Sequence, residues 1–169
     1  MFNVINEIDF MLQKEIMEKK RLDWETMFCL IVKVLSYRSS CAKTKQAAII
    51  VKDNRILSAG YNGPISGGIN CVLEGGEDVC GKDYNFSCKN GIHAEANAIG
   101  FLNRYGSGIG TEGCSIYITQ YPCLMCAKLI VASGIKKVIM IEKYRINEGL
   151  NYLLDNGIEC VDLSKTNSY

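Results

Sequence analysis

Residues 115–141 read SIYITQYPCLMCAKLIVASGIKKVIMI, and this segment decides the fold. Ser115–Thr119 alternates as a strand does, and Lys137–Ile141 is a second apolar run of strand length. Between them, Cys123–Ser133 predicts a helix that ends at Gly134, a residue suited to the position after a helix. Strand, helix and strand in this order indicate two parallel strands joined by a crossover helix.

The rest of the chain extends this unit into a mixed sheet. Downstream, a weaker helical pattern spans Asn147–Asn156, and a short strand is expected near Ile158–Val161. Upstream, the apolar runs Gln46–Val51 and Ile56–Tyr61 flank the turn signal Asp53-Asn54, which predicts an antiparallel hairpin. We therefore expect an α/β fold whose mixed sheet is covered by helices on both faces.

Three further helices are predicted from apolar spacing and end signals. In the first forty residues, Asp23 is a candidate N-cap, and the only histidine begins the segment His93–Asn103, which stops before Gly106. The first helix lies within an extension of residues 1–22, and its apolar positions are Val4, Ile5, Ile8, Met11, Leu12 and Ile16. The second helix is expected to bury Trp24, Met27, Phe28, Ile31, Val34 and Leu35.

Residues 62–92 interrupt the pattern. These thirty-one residues hold seven of the sixteen glycines and three of the nine cysteines, with little periodicity. A loop of this length is unusual in a compact domain unless it is functional or clamped. We interpret residues 1–169 as a single domain with an N-terminal extension, 1–22, and a glycine- and cysteine-rich insert, 62–92.

Composition excludes several classes of function. Apolar residues make up 48% of the 169 residues, which suits a folded chain with its own core. Nineteen Lys and Arg against eighteen Asp and Glu give a net charge of +1. This balance argues against a broad surface for nucleic acid or anionic membrane, although a basic pocket for one phosphate is compatible with it.

The chain shows no signal peptide and no membrane span. Its longest apolar run, Met27–Leu35, contains Lys33 and is too short to cross a bilayer. We therefore expect a cytoplasmic protein with reduced cysteines, in which metal ligation or burial is favoured over disulfides.

Two short segments carry the chemistry: His93-Ala94-Glu95 and Pro122-Cys123-Leu124-Met125-Cys126. Cys123 and Cys126 are three residues apart at the start of a predicted helix, so both sulfurs can reach one ion, and the helix N-terminus favours thiolate. With His93 they supply three zinc ligands, and the fourth tetrahedral position is left for water. Glu95 diverges from His93 on a helix, so we expect it beside that water as a proton carrier.

Each of these two segments, taken alone, is compatible with other interpretations. An isolated CxxC is compatible with a structural zinc or a redox site, and a lone histidine is more often a core or surface residue. The conjunction of the two motifs favours a catalytic zinc centre.

The remaining cysteines leave two alternatives open. Cys41, Cys71, Cys80 and Cys88 could form a second, structural zinc site that clamps the insert, or they could be reduced and partly buried thiols. No CxxC pair occurs among them. Cys29, Cys114 and Cys160 each lie in an apolar segment and are expected in the core.

The chain resembles the cytidine and deoxycytidylate deaminase superfamily, and more narrowly its dCMP branch. The HAE and PCxxC motifs are shared with the whole superfamily. The resemblance spans about residues 24–161 and includes Ser36-Tyr37-Arg38-Ser39-Ser40-Cys41, Ala47-Ala48-Ile49-Ile50-Val51, Gly60-Tyr61-Asn62-Gly63, His93-Ala94-Glu95-Ala96-Asn97-Ala98-Ile99 and the PCxxC segment.

The resemblance implies a three-layer α/β/α sandwich with a five-stranded sheet and the hydrolysis of dCMP to dUMP and ammonia. It implies a catalytic zinc held by His93, Cys123 and Cys126, with Glu95 as the proton shuttle. Asn62, next to Tyr61, would lie near the nucleotide or an effector site. Family members are commonly homo-oligomers, often hexamers, many respond to dCTP with Mg²⁺ and to dTTP, and several hold a second zinc.

Contacts to the substrate phosphate are expected from cationic or hydroxyl groups. The segment from Lys43 to Ala48 replaces the more usual arginine-rich stretch of the family. Alternatives are another cytosine nucleotide, such as dCTP or a modified dCMP, and a base in tRNA, which the near-neutral charge disfavours. A non-catalytic zinc module is disfavoured by Glu95. The candidate phosphate contacts are Arg38, Lys43, Lys45, Tyr144 and Arg145.

Overall fold

The computed structural model describes residues 21–73, 88, 90–106, 108–143 and 145–165. Within these ranges the chain forms a five-stranded sheet with the order β2-β1-β3-β4-β5. The strands are β1 (Ala47–Lys52), β2 (Arg55–Tyr61), β3 (Ser115–Gln120), β4 (Lys137–Glu142) and β5 (Glu159–Asp162). The helices are α1 (Trp24–Ser36), α2 (Ala94–Tyr105), α3 (Leu124–Ala132) and α4 (Glu148–Asp155), followed by a short 3₁₀ turn, Leu163–Lys165.

The sheet is mixed, as the sequence predicts. Strand β1 pairs antiparallel with both β2 and β3, whereas β3–β4 and β4–β5 are parallel. The two parallel pairs are joined by α3 and α4, which are the crossover helices expected from the alternation of the second half.

The β1–β2 hairpin closes through Asp53 and Asn54, whose φ angles are 50° and 58°. Two successive residues with positive φ match the twist of a two-residue hairpin turn, and Asn and Asp tolerate this region better than most residues. The pairing register shifts between Ile50 and Val51, because Leu57 of β2 has no partner residue in β1, which is a β-bulge in β2.

Helices cover both faces of the sheet, so the fold is an α/β/α sandwich. Alternate residues of β1 point to opposite faces: Ala48 and Ile50 belong to the core under α2, α3 and α4, whereas Ile49 packs with Phe28 of α1. All of these side chains are almost completely excluded from solvent.

Helix α1 begins as predicted, but its buried face differs from the expectation. Asp23 caps it by accepting a hydrogen bond from the Thr26 backbone N–H at 2.8 Å. The buried stripe includes Phe28 and Val32, whereas Trp24 is 41% exposed and Val34 is 44% exposed. The prediction was wrong for the last two residues. Val34 lies about 200° around the helix from Val32 and must face outward. Trp24 is the first residue of the helix and stacks on Phe28, with ring centroids 5.7 Å apart, at the exposed end of the buried stripe.

Some predictions fall outside the described residues. These are the helix expected in residues 1–20, most of the insert (74–87 and 89), and the candidate residues Cys80 and Tyr144. The division of the chain into one domain, an extension and an insert therefore stays a prediction. Among the described helices, none is long and apolar enough to cross a membrane.

Candidate metal centre and active site

His93 occupies the N-cap position of α2, directly before its first residue. The chain that leads to it is fixed by two backbone hydrogen bonds between Gly63 and Ile92, at 3.2 and 2.8 Å. The first turns of α2 are tied to β2, because the Asn97 side chain donates to the Tyr61 carbonyl at 3.0 Å. The imidazole is consequently held at the end of the helix nearest the hairpin.

Gly60 of β2 allows this close packing. A Cβ at residue 60 would lie 2.5 Å from the Ala98 nitrogen and 2.6 Å from the Ala94 carbonyl oxygen. Because these are backbone atoms of α2, no side-chain rotation could relieve the overlap. The hairpin and the helix that presents His93 therefore touch through a residue without a side chain.

Cys123 is the N-cap of α3, and its sulfur accepts from the Cys126 backbone N–H at 3.5 Å. The sequence pattern predicts a helix from Cys123, and the helix begins one residue later, at Leu124. The prediction that both sulfurs lie at one helix end is nevertheless met. An N-cap sulfur faces the free N–H groups of the first turn, which favour a negative charge.

The three predicted ligands converge. The Cys123 sulfur lies 3.5 Å from His93 Nδ1, and the Cys126 sulfur lies 3.4 Å from the same nitrogen. One donor atom from each residue lies within 4.8 Å of the other two. The three ligands differ in solvent exposure: His93 is exposed, Cys123 is half-buried and Cys126 is buried.

Protonation of the three groups is strongly coupled. The hydrogen bond from Cys126, together with that from His93, lowers the pKa of the Cys123 thiol to about 3. The bond to Cys123 and burial raise the pKa of Cys126, and the bond to Cys123 also raises the pKa of His93. One thiolate is thus stabilised here by two donors. Two sulfurs and one imidazole are a donor set that suits Zn²⁺, so the residues fit the metal.

Glu95 is the buried carboxyl next to this cluster. It is 9% exposed, and burial raises its pKa above the usual range of a glutamate. It is not among the three donors that converge. A carboxyl with a raised pKa accepts a proton more readily than an ordinary glutamate, which suits general acid–base chemistry.

Three of the four cysteines proposed for a second zinc lie within the described residues, and these three do not form a converging group. Cys71 is buried and Cys41 and Cys88 are half-buried. Within the part of the chain that the structure describes, His93, Cys123 and Cys126 are the only group of three potential metal ligands that converge. Cys80 lies outside the described residues, so the four-cysteine hypothesis stays untested. Of the cysteines expected in the core, Cys114 is fully buried, and Cys29 and Cys160 are half-buried.

Asn62 ties two loops together. Its side-chain nitrogen donates to the Thr44 carbonyl at 2.8 Å, and its side-chain oxygen accepts from the Gln46 backbone N–H at 2.8 Å. Tyr61 beside it is half-buried against the core under α1. The described candidates for phosphate contacts are all exposed to solvent: Arg38, Lys43, Lys45 and Arg145.

A comparison with known families accounts for this arrangement. The family model of the cytidine and deoxycytidylate deaminase zinc-binding region matches residues 22–142. The chain belongs to this family. The matched region includes all three candidate zinc ligands and Glu95.

Individual relatives agree with the family assignment. ComE operon protein 2 of Bacillus subtilis is 36% identical over 149 residues, covering 86% of this chain and 75% of that protein. Deoxycytidylate deaminase of Enterobacteria phage T2 is 37% identical, covering 81% of this chain and 90% of the phage protein. The crystal structure of dCMP deaminase from cyanophage S-TIM5, in complex with dCMP and dUMP, is 31% identical with a TM-score of 0.69, covering 82% of this chain and 95% of that one.

Sequence reasoning did not single out the residues that position the ligands. Gly60 was noted only as part of a motif, and Gly149 of α4, whose backbone approaches that of Pro122 and Cys123, was not noted. The available signal was a glycine inside a helical pattern, which is unfavourable unless another backbone comes close.

Proposed function

We propose that this chain catalyses the hydrolytic deamination of dCMP to dUMP and ammonia. The observation that carries the proposal is the convergence of His93, Cys123 and Cys126 beside the buried carboxyl of Glu95. The relationship to deoxycytidylate deaminases and to a dCMP deaminase with dCMP and dUMP bound supports the choice of substrate.

His93, Cys123 and Cys126 would hold a single Zn²⁺. When bound, zinc supplies the Lewis acidity that makes water nucleophilic near neutral pH. The chain's own contribution is to hold the three donors together and to leave the remaining side of the site for water and the cytosine ring. The exposure of His93 and the burial of Glu95 support an arrangement in which substrate enters from the His93 side.

Glu95 would move the protons. Water adds to C4 of the cytosine ring, and the Glu95 carboxylate takes a proton from that water and delivers it to N3. A second proton passes through the same carboxyl to the amino group, which leaves as ammonia, and the ring becomes uracil. The burial that raises the pKa of Glu95 supports this role, since the carboxyl must accept and return protons in each turnover.

We further propose that the nucleotide lies against the loops that Asn62 joins. Asn62 and Tyr61 would shape the nucleotide or effector site, and nearby cations would meet the 5′-phosphate through charge-assisted hydrogen bonds. The exposure of the four described candidates to solvent is compatible with contact to a ligand. The proposed phosphate contacts are Arg38, Lys43, Lys45, Tyr144 and Arg145.

Regulation and a second metal are separate proposals. We propose that dCTP with Mg²⁺ and dTTP act as effectors, and that Cys41, Cys71, Cys80 and Cys88 hold a structural zinc. The competing hypothesis for these cysteines is that they are reduced thiols. Metal analysis separates the two, because one zinc per chain favours the thiols and two favour the four-cysteine site.

We also propose a cytoplasmic homo-oligomer, such as a hexamer. An apolar groove beside α1 supports association; it is lined by Leu30, Ile31, Val34 and Leu35. A reducing compartment supports the zinc site, since thiolate ligands must stay unoxidised. Size-exclusion chromatography with light scattering measures the oligomeric state directly.

The decisive experiment is an ammonia-release screen over cytidine, CMP, dCMP, dCTP, a modified dCMP and tRNA, with zinc counted per chain. The expected result is turnover of dCMP with no activity on tRNA. Preference for dCTP or modified dCMP would move the proposal to another nucleotide, and activity on tRNA would replace it. Zinc binding without ammonia from any substrate would indicate a non-catalytic module.

A further inference from the structure

Gly149 brings α4 against the peptide that carries Cys123. It is the second residue of α4 and is buried. A Cβ at this position would lie 2.8 Å from the Pro122 carbonyl carbon and 3.0 Å from the Cys123 carbonyl carbon, and it would overlap the Pro122 carbonyl oxygen. The helix therefore touches the backbone of the PCxxC segment with no side chain between them.

The glycine is required here for space. Its φ is in the ordinary helical range, since the positive φ angles of glycine in the described residues occur elsewhere, for example at Gly134 and Gly157. Glycine is unfavourable in a helix by about 0.5–1 kcal/mol relative to alanine, so its presence in α4 is not explained by the needs of the helix. The close backbone contact explains it.

The same segment is held from its other end. The Tyr121 hydroxyl donates to Asp162 Oδ2 at 2.6 Å, and the Tyr121 backbone N–H donates to the Glu142 carbonyl at 3.2 Å. Asp162 is itself oriented by the Ser164 backbone N–H at 3.1 Å. Tyr121 at one end and Gly149 at the other thus clamp residues 121–123 between β4, β5 and α4.

The position of the Cys123 sulfur depends on this clamp. Cys123 precedes α3 as its N-cap, so its sulfur is placed by the backbone of residues 122–123 as well as by the helix. Its distance of 3.5 Å to His93 Nδ1 joins α3 to α2, an element from a different part of the chain. A displacement of the peptide by a few tenths of an ångström changes that distance directly.

We infer that Gly149 is a positioning residue for the metal centre: its lack of a side chain sets the Cys123 ligand at the distance that the site needs. The inference rests on the proposed zinc role of Cys123. A methyl group at residue 149 would meet backbone atoms, which cannot rotate away, so either α4 or the Cys123 peptide must move.

The test is Co²⁺ binding to the purified, metal-depleted full chain, followed by sulfur-to-cobalt absorption, with Zn²⁺ competition to obtain affinities. The absorption that Cys126→Ser removes defines the His93–Cys123–Cys126 site. We expect Gly149→Ala to weaken binding at this site by about 10- to 100-fold and to shift the absorption, as changes around metal ligands do.

Two controls separate positioning from loss of stability. Gly100→Ala also adds a methyl group to a helical glycine, but nothing lies within 4 Å of its Cβ, so affinity and absorption should not change. Leu153→Ala removes a fully buried side chain from the same helix α4, and it should lower the melting temperature while leaving the cobalt absorption intact.

If Gly149→Ala does not fold, Tyr121→Phe tests the clamp from its other end, because it removes only the hydroxyl. Reduced Co²⁺ affinity with a shifted absorption supports the inference. Wild-type affinity and absorption in Gly149→Ala, or in Tyr121→Phe where that variant must replace it, overturn it.

Measuring dCMP deamination in parallel separates failure of the Gly149 inference from failure of the proposed function. An inactive wild type whose cobalt site is still disturbed by Gly149→Ala would contradict the reaction but keep the inference. An active wild type, together with an undisturbed cobalt site in Gly149→Ala, would keep the proposed reaction but contradict the inference.

Discussion

Glu95 shows how burial prepares a single side chain for chemistry. The carboxyl is 9% exposed and lies outside the converging donor set. Its raised pKa has burial as its main cause. Proton transfer and metal ligation are thereby assigned to different residues of one site, and each can be removed separately.

Replacing Glu95 by Gln should therefore abolish turnover but spare the metal. We expect kcat for dCMP to fall by about 10²- to 10⁴-fold, because the amide cannot carry the proton. Zinc content should equal that of the wild type, measured by metal analysis of the same preparation. Near-normal activity, or loss of zinc, would contradict the role given to this carboxyl.

Tyr117 allows a test of side-chain burial on the face of the sheet that α1 covers. It is 7% exposed and packs against Phe28 with ring centroids 5.2 Å apart. Burial raises its pKa from 10.0 to about 12, so the folded state prefers the protonated phenol. A group whose pKa is raised on folding stabilises the protein below its unfolded pKa, and this stabilisation is lost as the pH rises through the folded pKa.

We therefore expect alkaline pH to weaken the wild type more than Tyr117→Phe, which keeps the ring but cannot ionise. Between about pH 8 and about pH 11, the free energy of unfolding of the wild type should fall by about 1 kcal/mol more than that of the variant. Urea unfolding followed by circular dichroism measures both. Equal losses in the two proteins would show that the phenol ionises freely in the fold.

The reactive residues could be predicted from the sequence because their types are rare and their spacing is typical of metal ligands. His93 is the only histidine in the chain, and the two cysteines of PCxxC are three residues apart. Gly149 carries no such signal: its importance lies in which backbone it meets, and that is fixed only when α4 packs on residues 122–123. Asn62 was likewise recognised as important, but its bonds to Thr44 and Gln46 depend on loop geometry.

Among the helices and strands, local signals predicted the elements better than their orientation. The Asp53-Asn54 turn, the Asp23 cap and Gly134 each act within a few residues, and each is found where the sequence put it. The outward position of Val34 was missed because several faces of α1 are apolar. Only the sheet beneath selects which of them is buried.

Gly60 provides a test of the close packing between β2 and α2. Gly60→Ala places a methyl group against the Ala94 and Ala98 backbone, so we expect the free energy of unfolding to fall by about 1–3 kcal/mol. Chemical denaturation measures the change. The matched control is Gly100→Ala in α2, which has open space around its Cβ and should be neutral or stabilising. An unchanged Gly60→Ala protein would mean that the hairpin can shift away from α2 without cost.

For the molecule as a whole, a metal bound at this site would join elements that are distant in sequence. His93 precedes α2 and Cys123 and Cys126 belong to α3, so one ion would link two helices on the same face of the sheet. A ligand that binds only the folded state stabilises that state in proportion to the logarithm of its concentration relative to its Kd.

Removing zinc with a chelator should consequently lower the melting temperature by about 5 °C or more, and zinc added back should restore it. Glu95→Gln should show the same shift, because its donors are intact, whereas Cys126→Ser should show a smaller one. Differential scanning calorimetry measures all three proteins. A melting temperature that does not respond to chelation would contradict a tightly bound metal.

The bulge at Ile50 and Val51 bears on how the protein behaves at high concentration. It lies in the hairpin whose β2 strand forms one border of the sheet, and the charged Lys52 and Arg55 follow next to it. An uneven, twisted and charged border is a poor template for a foreign strand. Copies of the chain should therefore resist strand-to-strand aggregation through this border, and deleting Leu57, the extra residue of the bulge, would remove part of this protection.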